Sequence, residues 1–313
     1  MEKAATTAGL GSKSVITIPV DEEGRMIASE LENAIVKARD EAGMTPLYVN
    51  ATAGTTVLGS FDPLEEIADI CSRHKVWMHV DASWGGGVVF SAKYRHKVKG
   101  AERADSVTVN PHKMMNVPVT CSFLLTRDVA VFHRANTLPA GYLFHADDED
   151  ESNGHKEEER EYWDLADLTL QCGRRGDSLK LALSWIYYGI SGFSAQVEHA
   201  FEMASYLATL IQQDVDNDFI LLSTNPPPCL QVCFYRSPGR GGGGLKIDSD
   251  VEAEDNTRRT KAMVRKLVDR GFMVDYAPGA AGSFLRVVVN CQTRRSTVER
   301  LMKALCEIAK EEA

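Results

Sequence analysis

The chain of 313 residues contains no long apolar run and no secretory signal. None of its apolar stretches approaches the roughly 20 residues that a helix needs to cross a bilayer. Residues 1–14 are polar and rich in Ala, Thr and Gly, whereas a signal peptide has a basic start and an apolar centre. Both absences predict a cytoplasmic protein without a membrane span.

Organised cysteine is also missing. The seven cysteines are odd in number, and no two of them have CxxC spacing. They are Cys71, Cys121, Cys172, Cys229, Cys233, Cys291 and Cys306. A disulfide framework or a structural zinc site needs paired spacings, so the sequence predicts neither. Most of these thiols are expected to be small buried hydrophobic groups.

The chain lacks a basic stripe. Its net charge is −9, and nine acids fall between Asp147 and Glu161 against only Lys156 and Arg160. A nucleic acid partner requires clustered Lys and Arg, so none is predicted. We expect the acidic segment 147–161 to be a solvated loop, and its role stays open.

β-branched runs alternate with amphipathic segments in the first half of the chain, which is typical of an α/β fold. Strands are predicted at 14–20, 46–51, 76–80, 106–109 and 122–126. One helix is predicted after Ser29, where Glu32 completes a capping-box spacing, and another after Pro63, because proline commonly opens helices. Strand–helix–strand order with short connections predicts a mainly parallel sheet.

The pattern changes near residue 200. Helices are predicted at 194–213, 257–271 and 297–312, and strands at 229–235, 272–276 and 284–289. Such a mixture is typical of an α+β module with a core of its own. We therefore predict a large domain at 1–199 and a smaller C-terminal domain at 200–313.

An aspartate ends one of the predicted strands. The apolar run 76–80 leads directly into Asp81, and three glycines follow at 85–87. The carboxyl ends of parallel strands form the ligand-binding edge of an α/β sheet, and glycines let a ligand or backbone approach closely. Asp81 could equally cap the next turn, so this feature alone leaves both interpretations open.

A lysine follows the next predicted strand. The strand 106–109 runs into Asn110-Pro111-His112-Lys113, a turn fixed by proline. A lysine is a nucleophile only where its neutral amine is accessible, through burial or a neighbouring cation. Taken alone, Lys113 is more simply explained as a solvated turn residue.

Asp81 and Lys113 together favour pyridoxal 5′-phosphate chemistry. This cofactor needs an amine that attaches it and a carboxylate that keeps its pyridine nitrogen protonated. The two residues supply both groups, each at the end of a predicted strand.

Four segments carry a resemblance to a known family. They are 50–56 (NATAGTT), 61–63 (FDP), 79–87 (HVDASWGGG) and 106–115 (SVTVNPHKMM). They resemble the group II pyridoxal-phosphate decarboxylases, especially glutamate decarboxylase of the animal type, with cysteine sulfinate decarboxylase near by. The resemblance implies a large α/β domain of the fold-type I class of PLP-dependent transferases, followed by a smaller α+β domain.

The resemblance implies roles around the cofactor. Lys113 would be the Schiff-base lysine, Asp81 the partner of the pyridinium nitrogen, and His112 a ligand of the phosphate. Ser83 would lie against the ring, at a position where the family usually has alanine. The adjacent His112-Lys113 pair argues against an aminotransferase, which shares the lysine and aspartate.

The resemblance also implies roles for five further residues. Thr55 or Thr56 would lie near the cofactor. Tyr142, in the segment GYLF, would be the catalytic proton donor. Arg286, in the segment SFLR, would bind the substrate carboxylate, and Arg174 would lie in a turn near a dimer interface.

Members of this family carry an N-terminal part before the matching region, including a histidine that stacks on the cofactor and much of the substrate pocket. We therefore expect this sequence to be a C-terminal piece with an incomplete sheet. The predicted reaction converts glutamate to 4-aminobutanoate and carbon dioxide in a homodimer. Decarboxylation of cysteine sulfinate or aspartate, and an inactive fragment, stay open as alternatives.

Overall fold

The computed structural model describes residues 1–137, 165–171, 173, 175–237 and 250–311. Its helices are α1 (Glu2–Thr7), α2 (Ala28–Asp40), α3 (Leu64–His74), α4 (Ala130–Asn136), α5 (Ser178–Gln212), α6 (Asp250–Asp269) and α7 (Arg295–Glu311). Its strands are β1 (Tyr48–Thr52), β2 (Trp77–Ala82), β3 (Ser106–Val109), β4 (Phe123–Thr126), β5 (Phe219–Leu221), β6 (Gln231–Arg236), β7 (Asp275–Ala277) and β8 (Phe284–Val288). Among these elements no helix is long and apolar enough to cross a membrane.

The first sheet has the order β1-β2-β3-β4 and two chemically different faces. The first three strands are parallel, as predicted, whereas β4 runs antiparallel to β3. Side chains alternate along a strand. Met78 and Val80 therefore share one face and pack with Leu31, Ile35 and Ile67 of α2 and α3 into one hydrophobic core. The opposite face carries the polar residues of the candidate site.

The second sheet has the order β5-β6-β8-β7, and all of its pairs are antiparallel. Its core joins Phe234 of β6 and Leu285 of β8 to Leu207 of α5, Met263 of α6 and Leu305 of α7. All five side chains are completely or almost completely buried. The α+β character expected for the C-terminal part is confirmed by this arrangement.

The domain division at 199/200 stays a prediction. The boundary falls inside α5, which runs from Ser178 to Gln212 with one break in helical geometry at Gly189. Val88 and Met114, which come from the first half of the chain, belong to the same hydrophobic core as the second sheet. The two sheets are thus joined by packing as well as by the chain.

The strand predicted at 14–20 is wrong. The structure has a single turn of 3-10 helix at Ser12–Ser14, followed only by an isolated bridge between Val20 and Met26. Pro19 has no N–H to donate to a neighbouring strand, and Ile16 is half exposed, so the segment gains little from pairing.

The predicted capping box does not form either. Helix α2 begins at Ala28, and no side chain caps its first turn. The Glu32 carboxylate instead binds Arg73 at 2.9 Å and His74 at 3.1 Å, both on α3. The pairing with α3 thus replaces the local hydrogen bond that the spacing predicted. The hydrogen bond from Arg73 is the main reason why the pKa of Glu32 is lowered.

A loop after β1 connects the first sheet to the rest of the molecule. This β1 loop, residues 53–61, is closed by a bridge between Ala53 and Phe61. The Ala53 N–H donates to the Asp81 carbonyl at 2.9 Å, and the Gly85 N–H donates to the Ala53 carbonyl at 2.9 Å. A Cβ added at Gly85 would lie 2.5 Å from the Ala53 oxygen and 2.6 Å from Phe61 Cε1. Glycine is therefore required where the loop meets the glycine run.

Gly85→Ala is expected to destabilise the fold by about 1–3 kcal/mol, because the added methyl group overlaps the Ala53 carbonyl oxygen and the Phe61 ring. Gly176→Ala is the matched control, since its nearest neighbour would be the Ser178 hydroxyl at 4.0 Å. Urea unfolding of both variants gives the comparison. Equal stability of the two variants would contradict the close contact between Gly85 and the β1 loop.

Candidate active site

Asp81 lies at the carboxyl end of β2, between Thr52 of β1 and Thr108 of β3 in the strand register. Its Oδ1 accepts a hydrogen bond from the Ser83 backbone N–H at 3.0 Å. The donor is the main chain of Ser83, so this hydrogen bond does not involve the serine hydroxyl. Oδ2 accepts no hydrogen bond from the part of the chain that the structure describes. One carboxylate oxygen is thus oriented by the protein and the other remains available to a ligand.

Lys113 is half-buried in the turn that follows β3. Its Nζ lies 5.2 Å from the centre of the Trp84 ring. Burial lowers the pKa of Lys113, and the Asp81 carboxylate acts in the opposite direction. Because β2 and β3 are adjacent and parallel, Asp81 at the end of β2 and Lys113 after the end of β3 lie at the same, ligand-binding edge of the sheet. A lowered pKa makes the neutral, nucleophilic amine more accessible.

His112 is held in place by the backbone at Cys121. Its Nδ1 lies 2.7 Å from the Cys121 carbonyl oxygen and 3.2 Å from the Cys121 nitrogen. If Nδ1 accepts from the Cys121 N–H, the neutral ring carries its proton on Nε2, which can donate to an anion. If Nδ1 donates to the carbonyl, Nε2 donates only from the protonated ring. A phosphate therefore fits the neutral ring with its proton on Nε2 and the doubly protonated ring, but not the neutral ring with its proton on Nδ1.

The residues present fit pyridoxal phosphate. Lys113 offers an amine of lowered pKa, Asp81 a free carboxylate oxygen, and His112 a donor for the phosphate. Asn110, between β3 and Lys113, has a buried Oδ1 with no hydrogen-bond partner among the described residues. Most buried polar atoms in proteins are paired, so this oxygen is open to a donor from outside the described residues.

A polar network covers the face of the sheet beside Asp81. The Ser106 hydroxyl oxygen accepts from Trp77 Nε1 at 2.9 Å and contacts His79 Nδ1 at 2.8 Å. His79 Nε2 lies 3.2 Å from the Thr108 hydroxyl. Burial lowers the pKa of His79 against the opposing effect of Asp81, which favours a neutral ring. The network supports β2 and β3 without adding a second charge beside Asp81.

Three consecutive carbonyls of the β1 loop accept hydrogen bonds from the second sheet. Gln231 donates to the Thr55 carbonyl at 3.4 Å, and Cys233 donates to the Val57 carbonyl at 3.2 Å. Between them, Nη1 of Arg286 donates to the Thr56 carbonyl at 2.7 Å. The Thr55 hydroxyl also accepts from a backbone N–H of its own loop, that of residue 60, at 3.0 Å. Thr55 and Thr56 are thus anchored mainly through their backbone.

Arg286 belongs to β8 and is largely buried, with a side-chain exposure of 16%. Its Nη2 lies 3.3 Å from Oδ2 of Asp275 on β7, a carboxylate whose side chain is 66% exposed. The strand register places these two residues directly opposite each other. The predicted carboxylate-binding arginine therefore already contacts one carboxylate of its own chain.

Several predicted residues fall outside the described part of the chain. They are Tyr142, Arg174 and the acidic segment 147–161. Two contacts of the site were not predicted from the sequence. The contact between Trp84 and Lys113 had a signal, because Trp84 is an aromatic residue three positions after Asp81 inside the segment 79–87. Asp275 gave no signal, because its contact with Arg286 depends on the β7–β8 register.

Comparison with known proteins identifies the family. Residues 1–236 match the model described as the pyridoxal-dependent decarboxylase conserved domain. The chain belongs to this family. The assignment agrees with the arrangement of Asp81 and Lys113 at one sheet edge, and it confirms the resemblance to the group II decarboxylases.

Individual decarboxylases of the family are similar over almost the whole chain. L-aspartate decarboxylase dtxS4 of Metarhizium robertsii is 56% identical over 311 residues, which cover 99% of this chain and 58% of that protein. Glutamate decarboxylase-like protein FG08083 of Gibberella zeae is 40% identical and is covered to 63%. The chain thus spans about three fifths of the length of these relatives.

Solved structures give the same result for the fold. The crystal structure of mouse CSAD has a TM-score of 0.83 at 36% identity, covering 98% of this chain and 61% of that one. Oryza sativa TDC with PLP and tryptamine has a TM-score of 0.84 at 25% identity, covering 99% of this chain and 60% of that one. The expected fold-type I class is therefore confirmed.

The Lys113 amine is expected to titrate below the ordinary lysine value of 10.5, and Asp81→Asn is expected to lower its pKa further. The reason is that burial lowers this pKa while the Asp81 carboxylate raises it. Competitive acetylation of cofactor-free protein across a pH series, followed by peptide mass spectrometry, measures the midpoint. Lys99 is the control, because its hydrogen bond to Glu65 raises its pKa. A Lys113 midpoint that rises in Asp81→Asn would refute the electrostatic coupling.

Proposed function

We propose that this chain carries the cofactor-binding core of a PLP-dependent amino-acid decarboxylase that acts on an acidic amino acid. The observation that carries the proposal is the placement of Asp81 and the half-buried Lys113 after adjacent parallel strands, at one edge of the sheet. Aspartate is placed first among substrates, because the 56% identical relative is named for it. Glutamate, expected from the motifs, is the second candidate and has support from the 40% identical relative.

In this proposal each residue has a defined task at the cofactor. Bound pyridoxal phosphate supplies an electron sink for the charge left on the substrate carbon when carbon dioxide leaves. Lys113 would hold the cofactor through Nζ. Asp81 would keep the ring nitrogen protonated through Oδ2, since Oδ1 is engaged by the Ser83 N–H. His112 would donate to the phosphate, and the buried Asn110 oxygen would be open to a donor.

Arg286 orients the substrate by its carboxylate. Its planar guanidinium can hold a carboxylate through two parallel hydrogen bonds, and the bond to the Thr56 carbonyl fixes its direction. Tyr142 remains the proposed donor of the proton that replaces carbon dioxide. Ser83, Thr55 and Thr56 remain proposed neighbours of the cofactor.

We also propose that the active form is a homodimer. Large apolar side chains at the start of α5 are exposed, namely Leu179, Leu183, Ile186, Tyr187 and Ile190. A stripe of large exposed apolar side chains on one helix is typical of a protein interface. The compartment proposed for the protein is the cytoplasm.

Product analysis tests the proposed reaction. Protein loaded with pyridoxal phosphate is expected to release carbon dioxide and β-alanine from aspartate, or 4-aminobutanoate from glutamate. Cysteine sulfinate completes the substrate panel. Lys113→Ala is expected to abolish turnover and any cofactor fixed by borohydride, whereas Lys99→Ala, at an exposed ion pair, keeps both. Absence of bound cofactor in the parent protein would favour the alternative of an inactive fragment, and keto-acid products would favour an aminotransferase.

Asp81→Asn is expected to slow turnover far more than it weakens cofactor binding. An amide cannot hold the ring nitrogen protonated, and a charge contact of this kind in a water-poor site is worth about 2–4 kcal/mol to the rate. Turnover and bound cofactor are measured on the same samples. A proportional loss of both quantities would show that Asp81 only helps to hold the cofactor.

A further inference from the structure

Within the described part of the chain, the Arg286 guanidinium contacts the β1 loop on one side and strand β7 on the other. Nη1 donates to the Thr56 carbonyl at 2.7 Å, and Nη2 lies 3.3 Å from Oδ2 of Asp275. The first contact is short and its acceptor is neutral backbone. The second is long, and its partner is an exposed carboxylate. The guanidinium is therefore held firmly on the side of the β1 loop and loosely on the side of β7.

The position of Asp275 matters because of the shape of a guanidinium group. A carboxylate can be held by two parallel N–H groups on the edge formed by Nη1 and Nη2, or on the edge formed by Nε and Nη2. Both edges contain Nη2, the nitrogen that Asp275 contacts. Nη2 carries two N–H groups, one directed to each edge. A substrate carboxylate on the edge that Asp275 uses must displace it, and one on the other edge lies beside Asp275, where the two negative charges repel each other.

We propose that Asp275 is an affinity-determining residue that occupies Arg286 in place of the substrate carboxylate and is displaced by it. This inference rests on the proposed carboxylate-binding role of Arg286. The Asp275 carboxylate also accepts a hydrogen bond from the Tyr276 backbone N–H at 2.8 Å, and its side chain is 66% exposed, so water can replace these contacts after release. Arg286 stays in position meanwhile, because the bond to the Thr56 carbonyl does not involve Nη2.

The geometry gives Asp275 two effects. In the absence of substrate it keeps the partly buried guanidinium paired and directed. In the presence of substrate it competes, so that the protein binds carboxylates less tightly than Arg286 alone allows. Removing the Asp275 charge should therefore improve carboxylate binding, whereas a residue that merely supports the fold would weaken binding when altered.

The experiment measures binding of succinate, an unreactive dicarboxylate, to the protein loaded with pyridoxal phosphate by titration calorimetry. Asp275→Asn is expected to lower the dissociation constant about two- to five-fold, in proportion to the modest strength of exposed ion pairs. Asp269→Asn, at the exposed end of α6, removes the same charge away from Arg286 and should leave binding unchanged. Arg286→Gln should weaken binding at least ten-fold.

The outcomes separate the two assignments. Strong loss in Arg286→Gln with unchanged or weaker binding in Asp275→Asn overturns the role of Asp275 and leaves that of Arg286 intact. Unchanged binding in Arg286→Gln overturns the carboxylate-binding role of Arg286 itself, and the inference with it. Equal tightening in Asp275→Asn and Asp269→Asn overturns the inference as well, because net charge would then explain the gain.

Discussion

The β1 loop is the constraint on which the geometry of the site depends. At its base, Ala53 is bonded to the Asp81 backbone and to Gly85, so the loop is tied to the strand that carries the carboxylate. Farther along, the carbonyls of Thr55, Thr56 and Val57 accept from three side chains of the second sheet. One short segment thus fixes the distance between the proposed cofactor site and the proposed carboxylate-binding arginine.

The two faces of the first sheet serve different purposes. Burial of apolar side chains against α2 and α3 stabilises the sheet from one side, through the hydrophobic effect. This leaves the other face free to carry Asp81, His79, Ser106 and Thr108, whose polar groups would be costly inside a core without partners. Hydrogen bonds link His79 to Ser106 and Thr108, and Asp81 accepts from the Ser83 backbone N–H while keeping its other carboxylate oxygen available.

Much of the fold and part of the site were predictable from local pattern. The strand that carries Asp81 and the strand before Lys113 are rich in apolar residues, and the motif around each of these two residues is specific for the decarboxylase family. Predictions failed where tertiary contacts compete with local preference. Glu32 has a capping-box spacing but pairs with α3, and the segment 14–20 is β-branched but contains a proline and finds no partner strand. The Asp275–Arg286 contact depends on strand register, which no local pattern specifies.

The two cations of the proposed site need opposite protonation states, although both are partly buried. Lys113 must lose its proton to act as a nucleophile, and burial favours this by lowering its pKa. Arg286 must stay charged to attract a carboxylate, and a guanidinium remains protonated under all ordinary conditions. Because its charge persists, burial without a partner would be costly.

The Thr56 carbonyl and the Asp275 carboxylate pair with the partly buried guanidinium of Arg286. Asp275 is a carboxylate like the proposed substrate group, so it also competes with the substrate for Arg286. The placement of Asp275 on an exposed edge strand resolves the conflict, because its charge is close enough to pair with Arg286 and sufficiently solvated to leave.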